Sequence, residues 1–253
     1  MKLSVYLNPT FDDLPFPERI ERLASWGVPA FDFRHDDVDG IAAAANAHNL
    51  DIAYMSGVVG PINDPEIVDE RIEEVEAAIE TASEIGCEMI NTSPGQHLQA
   101  FDEVEQFEAA LEVLRESAPT AEAAGVTLLL EPLNTRVDHP GSFLSSSYEG
   151  YKLLAAVDSP NVKLLFDIYH QQITEGDIVR NLETHLEHVG HIHVADNPGR
   201  NEPGTGEIDY EYILSALAGA GYDGYVGCEF TPTGDPETSV KAVKSMIEST
   251  RTQ

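Results

Sequence analysis

Short apolar runs rich in β-branched residues alternate along the whole chain with longer segments of helical hydrophobic spacing. The short runs have the length of buried strands and the longer ones that of amphipathic helices. Eight such pairs predict parallel βαβ units, since parallel strands need a long crossover between them. The predicted strands are Leu3–Leu7, Ala30–Arg34, Asp51–Met55, Glu88–Thr92, Thr127–Glu131, Val162–Asp167, His191–Ala195 and Tyr225–Phe230. The predicted helices begin near Pro17, Asp37, Asp64, Asp102, Ser147, Glu175, Tyr210 and Ser239.

Two sheet topologies fit this pattern, a closed eight-stranded barrel and an open doubly wound sheet. A doubly wound nucleotide binder should carry a glycine-rich turn after its first strand, whereas here that turn reads Asn8-Pro9-Thr10-Phe11. The length of 253 residues suits one barrel, and no linker or low-complexity tract divides it. The sequence therefore predicts a single α/β domain over residues 1–253, folded as a (β/α)8 TIM barrel.

Bulk composition is typical of a soluble globular protein. Hydrophobic residues make up 42% of the chain, and no stretch approaches the roughly 18 consecutive apolar residues of a membrane span. The N-terminus lacks the apolar stretch and cleavage site of a secretory signal, so we expect a cytoplasmic protein. Cys87 and Cys228 lie in apolar runs without metal-ligand spacing, and we expect buried free thiols.

The charge balance is strongly acidic, with 45 acidic residues against 14 basic ones and a net charge of −31. Such a field repels nucleic acid and anionic membranes, so we expect neither as a partner. The acidic residues recur along the predicted helices, which is typical of solvated faces. With only five lysines in the chain, this surface suggests a halophilic organism whose high-salt cytoplasm screens the repulsion.

Residues of metal-ligand type stand at or near the carboxyl ends of four consecutive predicted strands: Glu131, Asp167, His193 and Glu229. Alternate strand residues share a face, so all four can point to the barrel axis without a register conflict. In a barrel those strand ends surround the mouth where active sites are built. Three carboxylates there would repel one another, and a divalent cation is the simplest way to hold them together. Oxygen ligands with one imidazole suit Mn²⁺, Mg²⁺ or Co²⁺.

Each of these residues also has an ordinary structural interpretation. A lone acid at a strand end is more often a helix N-cap or a solvated loop residue, and a lone strand histidine is usually a satisfied core residue. The convergence of four such residues on successive strands is what favours a metal site. His191 keeps the structural interpretation, because it lies one layer deeper on the same face as His193 and is expected to donate a structural hydrogen bond.

Four stretches of the second half carry recognisable motifs: EPLN (131–134), FDIYHQQITEGDI (166–178), GHIHVADNPGRNEPGTGEIDY (190–210) and GYVGCEF (224–230). They resemble the hydroxypyruvate isomerase family, which belongs to the xylose isomerase-like superfamily of sugar isomerases and epimerases. The resemblance implies a (β/α)8 barrel with one divalent metal ion held by the residues that match the four named above. It also implies proton transfer between adjacent carbons of a hydroxy-carbonyl compound through an enediol.

The same resemblance assigns expected roles to single residues. Glu131 and Glu229 match glutamates that also serve as general acid and base, and His170 and Arg200 match positions that contact substrate. Arg34 is a second plausible anchor for a carboxylate or hydroxyl group, because guanidinium groups recognise carboxylates well. Glu207, in the GTGE turn, either contacts substrate or caps the following helix.

The chain departs from the family pattern in places that bear on the substrate. Hydroxypyruvate isomerases often have glutamine at the position of His193. In having histidine there, the chain is more similar to ketose 3-epimerases. The family also tends to carry a histidine at the end of strand three and a lysine after strand four. Here those stretches read Tyr54-Met55-Ser56 and Ser93-Pro94-Gly95-Gln96.

The leading hypothesis is a metal-dependent isomerase of a small sugar or sugar acid, of the hydroxypyruvate/tartronate semialdehyde type. The main alternative is a C3 epimerase of free ketoses. A metal-dependent nucleic-acid hydrolase of the same superfamily should show extra histidines and a basic groove, which a net charge of −31 disfavours. A non-catalytic sugar-binding barrel would not need the acid pair. The sequence leaves open a homo-oligomer.

The acidic surface predicts that thermal stability depends on salt. Molar KCl should raise the melting temperature above its value in low KCl, because the salt screens repulsion among exposed carboxylates. Thermal melts in the two buffers test this, and equal stability in both would count against a halophilic origin.

Overall fold

The computed structural model describes residues 1–10, 14–35 and 40–250. Its eight parallel strands close into one barrel in sequence order, with β1 paired to β8, which confirms the predicted fold class. The strands are β1 Lys2–Tyr6, β2 Ala30–Arg34, β3 Asp51–Val59, β4 Cys87–Thr92, β5 Thr127–Leu130, β6 Val162–Asp167, β7 Val189–Val194 and β8 Tyr225–Cys228. The helices are α1 Leu7–Thr10, α2 Phe16–Ser25, α3 Ile41–His48, α4 Val68–Ile85, α5 Glu103–Ala124, α6 Ser147–Val157, α7 Ile168–Thr174, α8 Ile178–Thr184, α9 Tyr210–Gly219 and α10 Pro236–Ser249.

Side-chain caps fix the starts of several helices. Asp102 accepts hydrogen bonds from the backbone N–H groups of Val104 and Glu105, while the Glu105 carboxylate accepts from the Asp102 N–H. This reciprocal capping box starts α5 by satisfying N–H groups that have no partner inside the helix. Gly125 then ends α5 in the left-handed conformation, with φ 70°.

Three predicted helix starts have a different outcome. The start near Asp64 is wrong, because α4 begins only at Val68, and the Asp64 carboxylate instead accepts from the Glu66 N–H within a preceding turn. The single helix predicted near Glu175 is two short helices, α7 and α8, since Asp167 already caps α7 at the end of β6. The start predicted near Asp37 lies outside the described residues.

Two expectations from composition concern the cysteines and the membrane. Cys87 and Cys228 are free and buried, as predicted. Among the residues that the structure describes, no helix is both long enough and apolar enough to cross a bilayer.

Alternate strand residues separate into two hydrophobic cores. Leu128 and Leu130 face the main core between the strands and the helices, whereas Leu129 lies in a second cluster that fills the inside of the barrel. Leu165 belongs to the same inner cluster. Leu129 and Leu165 lie two residues before Glu131 and Asp167 and therefore on the same strand faces, so the inner cluster forms an apolar floor beneath the barrel mouth.

Gly227 leaves room inside the barrel for polar side chains from distant strands. In the sheet register it pairs with His193 on one side and with Ser4 on the other. A Cβ atom at Gly227 would overlap the Asp32 carboxylate and lie 2.7 Å from His193 Cδ2 and 2.9 Å from His191 Nε2. The missing side chain therefore lets Asp32 of β2 meet the two histidines of β7 across the barrel.

This crowding predicts the effect of one added methyl group. Gly227→Ala should destabilise the fold by about 1–3 kcal/mol, because an overpacked interior forces neighbours off their preferred positions. Gly219→Ala is the matched control, since a Cβ atom at that helical position meets nothing within 4 Å, and it should be neutral or stabilising by up to ~1 kcal/mol. Urea unfolding at constant salt measures both, and equal effects would contradict the crowding argument.

Candidate active site

The four predicted metal ligands converge at the carboxyl end of the barrel. One ligand atom each from Glu131, Asp167, His193 and Glu229 can be chosen so that all four lie within 4.8 Å of one another. Strand register explains part of this, because Asp167 pairs with His193 across β6 and β7. Asp167 and His193 are buried, while the two glutamates are partly exposed toward the mouth. Four separate strand ends thus form one cluster, hereafter the quartet.

Positive groups already contact the carboxylates of the quartet. His193 Nδ1 lies 2.9 Å from Glu229 Oε2, and Arg200 Nη2 donates to the same oxygen at 2.9 Å. Arg200 Nη2 is also 3.5 Å from Asp167 Oδ2, and His170 Nε2 lies 3.5 Å from that oxygen. The guanidinium therefore offsets part of the negative charge that collects at the mouth.

The two glutamates of the quartet have opposite ionisation behaviour. Burial, together with the neighbouring Glu229 carboxylate, raises the pKa of Glu131 to about 8. Burial also acts to raise the pKa of Glu229, but the Arg200 guanidinium and His193 outweigh it and hold that pKa well below its usual range. Adjacent carboxyl groups with such divergent pKa values are the arrangement used for paired acid and base roles.

The quartet has the donor set and spacing of a divalent cation site. Ligands at roughly 2.0–2.6 Å from a common oxygen-preferring cation lie a few ångströms apart, in keeping with the 4.8 Å limit across this cluster. A bound cation would also offset the repulsion between Glu131 and Glu229 that raises the pKa of Glu131. Three carboxylates and one imidazole therefore fit Mn²⁺, Mg²⁺ or Co²⁺.

The loop after β7 positions Arg200. The Asp196 carboxylate accepts from the backbone N–H groups of Asn197, Gly204 and Ile208, which ties the loop to a single side chain. Arg200 itself has φ 54°, a conformation that costs a non-glycine residue free energy and persists where its surroundings enforce it. Its N–H donates to the Asp196 carbonyl, and the loop thereby directs the guanidinium to the quartet.

Glu207 lies in the same loop but not at the quartet. Its side chain is exposed, and one carboxylate oxygen accepts from Asn197 Nδ2 at 2.8 Å. The alternative that Glu207 caps the following helix is wrong, because Asp209 caps α9 by accepting from the Tyr212 N–H. Glu207 therefore helps to close the loop that carries Arg200, through its hydrogen bond with Asn197.

A cavity of about 440 Å³ opens beside the quartet, and Tyr6, Arg34, Arg200 and Glu229 are among its lining residues. This volume lies in the range of small-molecule sites. A larger cleft of about 950 Å³ opens at the other end of the barrel, where Lys2 begins β1. Barrel enzymes bind substrate at the carboxyl strand ends, so the smaller cavity is the candidate site, and it brings Arg34 and Arg200 together.

Comparison with known proteins places this barrel. A family model described as a xylose isomerase-like TIM barrel matches residues 20–250. Hydroxypyruvate isomerase of Escherichia coli (strain K12) is 30% identical over 252 residues, covering 95% of this chain and 97% of the relative. The chain belongs to the hydroxypyruvate isomerase family. The 2-oxo-tetronate isomerase of Cupriavidus necator is 40% identical over 155 residues, which cover 61% of this chain and 59% of that protein.

A solved structure of similar fold has a different description. The crystal structure of an AP endonuclease of family 2 from Brucella melitensis superimposes with a TM-score of 0.90 and 31% sequence identity, covering 97% of this chain and 99% of that one. The Brucella melitensis protein and this member of the hydroxypyruvate isomerase family therefore share the fold of the whole barrel.

Asp32 is a buried carboxylate of this family member that sequence reasoning missed. Its Oδ2 accepts from Ser4 Oγ at 2.9 Å and lies 3.2 Å from His191 Nε2. Burial opposes its ionisation, but His191 and His193 outweigh that effect and lower the pKa of Asp32 to about 2. The prediction of a structural hydrogen bond at His191 is confirmed. The available signal was a charged residue between Phe31 and Phe33 in a strand, on the face of Ala30.

Asn134, in the EPLN motif, sets the orientation of His170. Its side-chain amide Nδ2 lies 2.6 Å from His170 Nδ1, and its Oδ1 accepts from the Val137 N–H. Because an amide nitrogen only donates, His170 Nδ1 is the acceptor and its ring proton sits on Nε2. That proton faces Asp167, so His170 contributes to holding a quartet carboxylate.

The quartet predicts that a divalent cation stabilises the fold. Mn²⁺ at one hundred times its Kd should add about 2.7 kcal/mol, a rise of several degrees in melting temperature. Asp167→Asn should lose most of this rise, because the amide has no negative charge to offer the ion. Asp209→Asn is the matched control, because Asp209 is an N-cap like Asp167 but is exposed, at the start of α9, and this variant should keep the rise. An undiminished rise in Asp167→Asn would contradict the site.

Proposed function

We propose that this protein is a divalent-metal-dependent isomerase of a small hydroxy-carbonyl sugar or sugar acid. It moves a proton between adjacent carbons through an enediol, and hydroxypyruvate and tartronate semialdehyde represent the substrate type. The observation that carries the proposal is the convergence of Glu131 and Glu229 in one cluster, beside a cavity of small-molecule size that Glu229 and Arg200 line. The relatives named hydroxypyruvate isomerase and 2-oxo-tetronate isomerase support this reaction class.

The quartet would hold the metal ion, and a bound ion supplies Lewis-acid polarisation of a carbonyl group. The protein contributes the arrangement of the ligands. Asp167 is fixed by the backbone N–H groups of Tyr169 and His170 at the start of α7, and His193 is fixed within β7. Two ligands on rigid elements leave the partly exposed glutamates free to face substrate.

Glu131 and Glu229 are suited to proton transfer at carbon. One carboxylate takes the proton from the carbon next to the carbonyl group, and the other serves the opposite face or the substrate oxygen. Glu229 lines the cavity directly, and Glu131 comes from the neighbouring part of the mouth. Both remain within one cluster, so a single bound substrate can reach the two groups.

Arginine side chains supply recognition in the same cavity. The guanidinium of Arg200 lies beside Glu229, and Arg34 is a further lining residue of the same cavity. Guanidinium groups bind carboxylate or vicinal hydroxyl oxygens with directed N–H groups. A short sugar acid is therefore a better candidate than a neutral hydrocarbon-rich ligand.

A ketose 3-epimerase is the second candidate, favoured by one specific feature. The imidazole of His193 is part of the quartet. Members of the hydroxypyruvate isomerase family often have glutamine at this position, and in having histidine there this chain resembles the ketose 3-epimerases. The chemistry is closely related, since an epimerase also removes and returns a proton next to a carbonyl group. The two functions differ in which carbon exchanges its proton.

We do not extend the nucleic-acid chemistry in the name of the Brucella melitensis structure to this chain. A net charge of −31 repels a phosphate backbone, and the cavity of about 440 Å³ has the size of a small-molecule site. We propose a small-molecule substrate and no nucleic-acid partner.

Solvent exchange distinguishes isomerase from epimerase. The enzyme with Mn²⁺ is incubated in D₂O with hydroxypyruvate and, separately, with a ketohexose, and NMR identifies the carbon that gains deuterium. Deuterium on the hydroxymethyl carbon of hydroxypyruvate, next to its carbonyl group, supports the isomerase. Deuterium at C3 of the ketohexose supports the epimerase. No label in either substrate would contradict both.

Substitution of the acid/base pair tests its role in the same assay. Glu131→Gln should lower the exchange rate by about 10²- to 10⁴-fold, because the amide cannot accept or deliver the proton. Glu211→Gln, the same change on the exposed face of α9, is the control and should retain the full rate. A Glu131→Gln variant with the control's rate would remove Glu131 from the mechanism.

A further inference from the structure

A cluster of buried polar side chains lies inside the barrel, directly beneath the quartet. Asp32, His191 and the ring of His193 are all withdrawn from solvent. Asp32 Oδ2 is 2.9 Å from Ser4 Oγ, 3.2 Å from His191 Nε2 and 3.5 Å from His193 Nε2. One carboxylate oxygen is therefore the meeting point for both imidazoles of the H-x-H sequence of β7.

His193 faces two carboxylates through its two ring nitrogens. Nδ1 points to the quartet, 2.9 Å from Glu229 Oε2, and Nε2 points down to Asp32. A neutral imidazole that binds a metal through one nitrogen carries its proton on the other. If Nδ1 is the quartet ligand, the proton must sit on Nε2, inside the barrel.

A buried N–H group needs an acceptor, since leaving it unpaired costs free energy. Among the residues that the structure describes, Nε2 of His193 has no hydrogen-bond partner, and Asp32 Oδ2 lies 3.5 Å from it. The aromatic side chains beside the ring, Tyr54 and Tyr6, have their hydroxyls bonded to Asn91 and Ser56. Asp32 is thus the acceptor in reach.

The Asp32 carboxylate also has capacity to accept this proton. Its Oδ1 is buried without a hydrogen-bond partner among the described residues, so the carboxylate can accept a further hydrogen bond in addition to the one that Ser4 donates to Oδ2. Gly227 keeps the space between Asp32 and His193 free of a side chain. The interior is therefore built to let this contact form.

We propose that Asp32 is a positioning residue that fixes His193 with its proton on Nε2 and so presents Nδ1 to the quartet. Asp32 does not reach the cavity, being fully buried one layer below it. Its effect passes through His193, as a carboxylate behind a metal-binding histidine fixes the tautomer and strengthens the ligand. This inference rests on the metal site of the proposed function.

The test uses the full-length protein and two readouts other than activity. Calorimetric titration with Mn²⁺ gives the affinity, and ¹⁵N NMR of histidine-labelled protein with Mg²⁺ gives the tautomer of His193, assigned by comparison with His193→Gln. Wild type should carry the proton on Nε2. Asp32→Asn should weaken Mn²⁺ binding by about 10- to 100-fold and shift the His193 tautomer.

Ser4→Ala is the matched control for this substitution. It removes a different hydrogen bond to the same oxygen and leaves the carboxylate facing His193, so Mn²⁺ affinity and tautomer should both stay as in wild type. Wild-type affinity and an unchanged tautomer in Asp32→Asn would overturn the positioning role alone. The NMR of wild type is decisive even where Asp32→Asn does not fold, because a proton on Nδ1 in the Mg²⁺-loaded protein would also overturn it. A wild type that binds neither ion would overturn the metal site of the proposed function, and this inference with it.

Discussion

Mutual repulsion among three carboxylates is the constraint around which the barrel mouth is organised. Glu131, Asp167 and Glu229 stand at the ends of β5, β6 and β8 and converge with His193 of β7 within a few ångströms, where ionised groups cannot coexist without compensation. Arg200 and His193 supply part of that compensation, yet Glu131 still resists ionisation. A divalent cation would complete it, and the same cation would make the cluster useful in catalysis.

Compensation of this charge requires support from outside the quartet. The Asp196 carboxylate ties together the loop that carries Arg200 and stabilises its left-handed backbone. Asn134 orients His170 toward Asp167. The EPLN and ADNPGRNEPGTGEIDY stretches therefore supply both charged groups at the mouth and the residues that support them.

Space inside the barrel sets a second limit, because eight strands enclose only enough room for their own side chains. Apolar side chains such as Leu129 and Leu165 fill the floor. Above them Gly227 has no side chain, and the space that this leaves lets Asp32 approach His191 and His193. The buried Asp32 carboxylate thus links β2 to β7, and His193 has a carboxylate near each of its two ring nitrogens.

The alternation of eight strands and helices, the barrel and the strand ends that carry the quartet could all be predicted from the sequence, because periodicity and strand parity are local properties. Helix starts such as the one near Asp64 were misplaced where turn chemistry competed with capping. The folded structure was needed to show that Asp32 lies against His191 and His193, that Glu207 closes a loop, and that Arg34 shares a cavity with Arg200. Asp32 and the two histidines, like Arg34 and Arg200, are far apart in the chain, and barrel closure brings them together. The place of Glu207 depends instead on the folded path of the loop after β7.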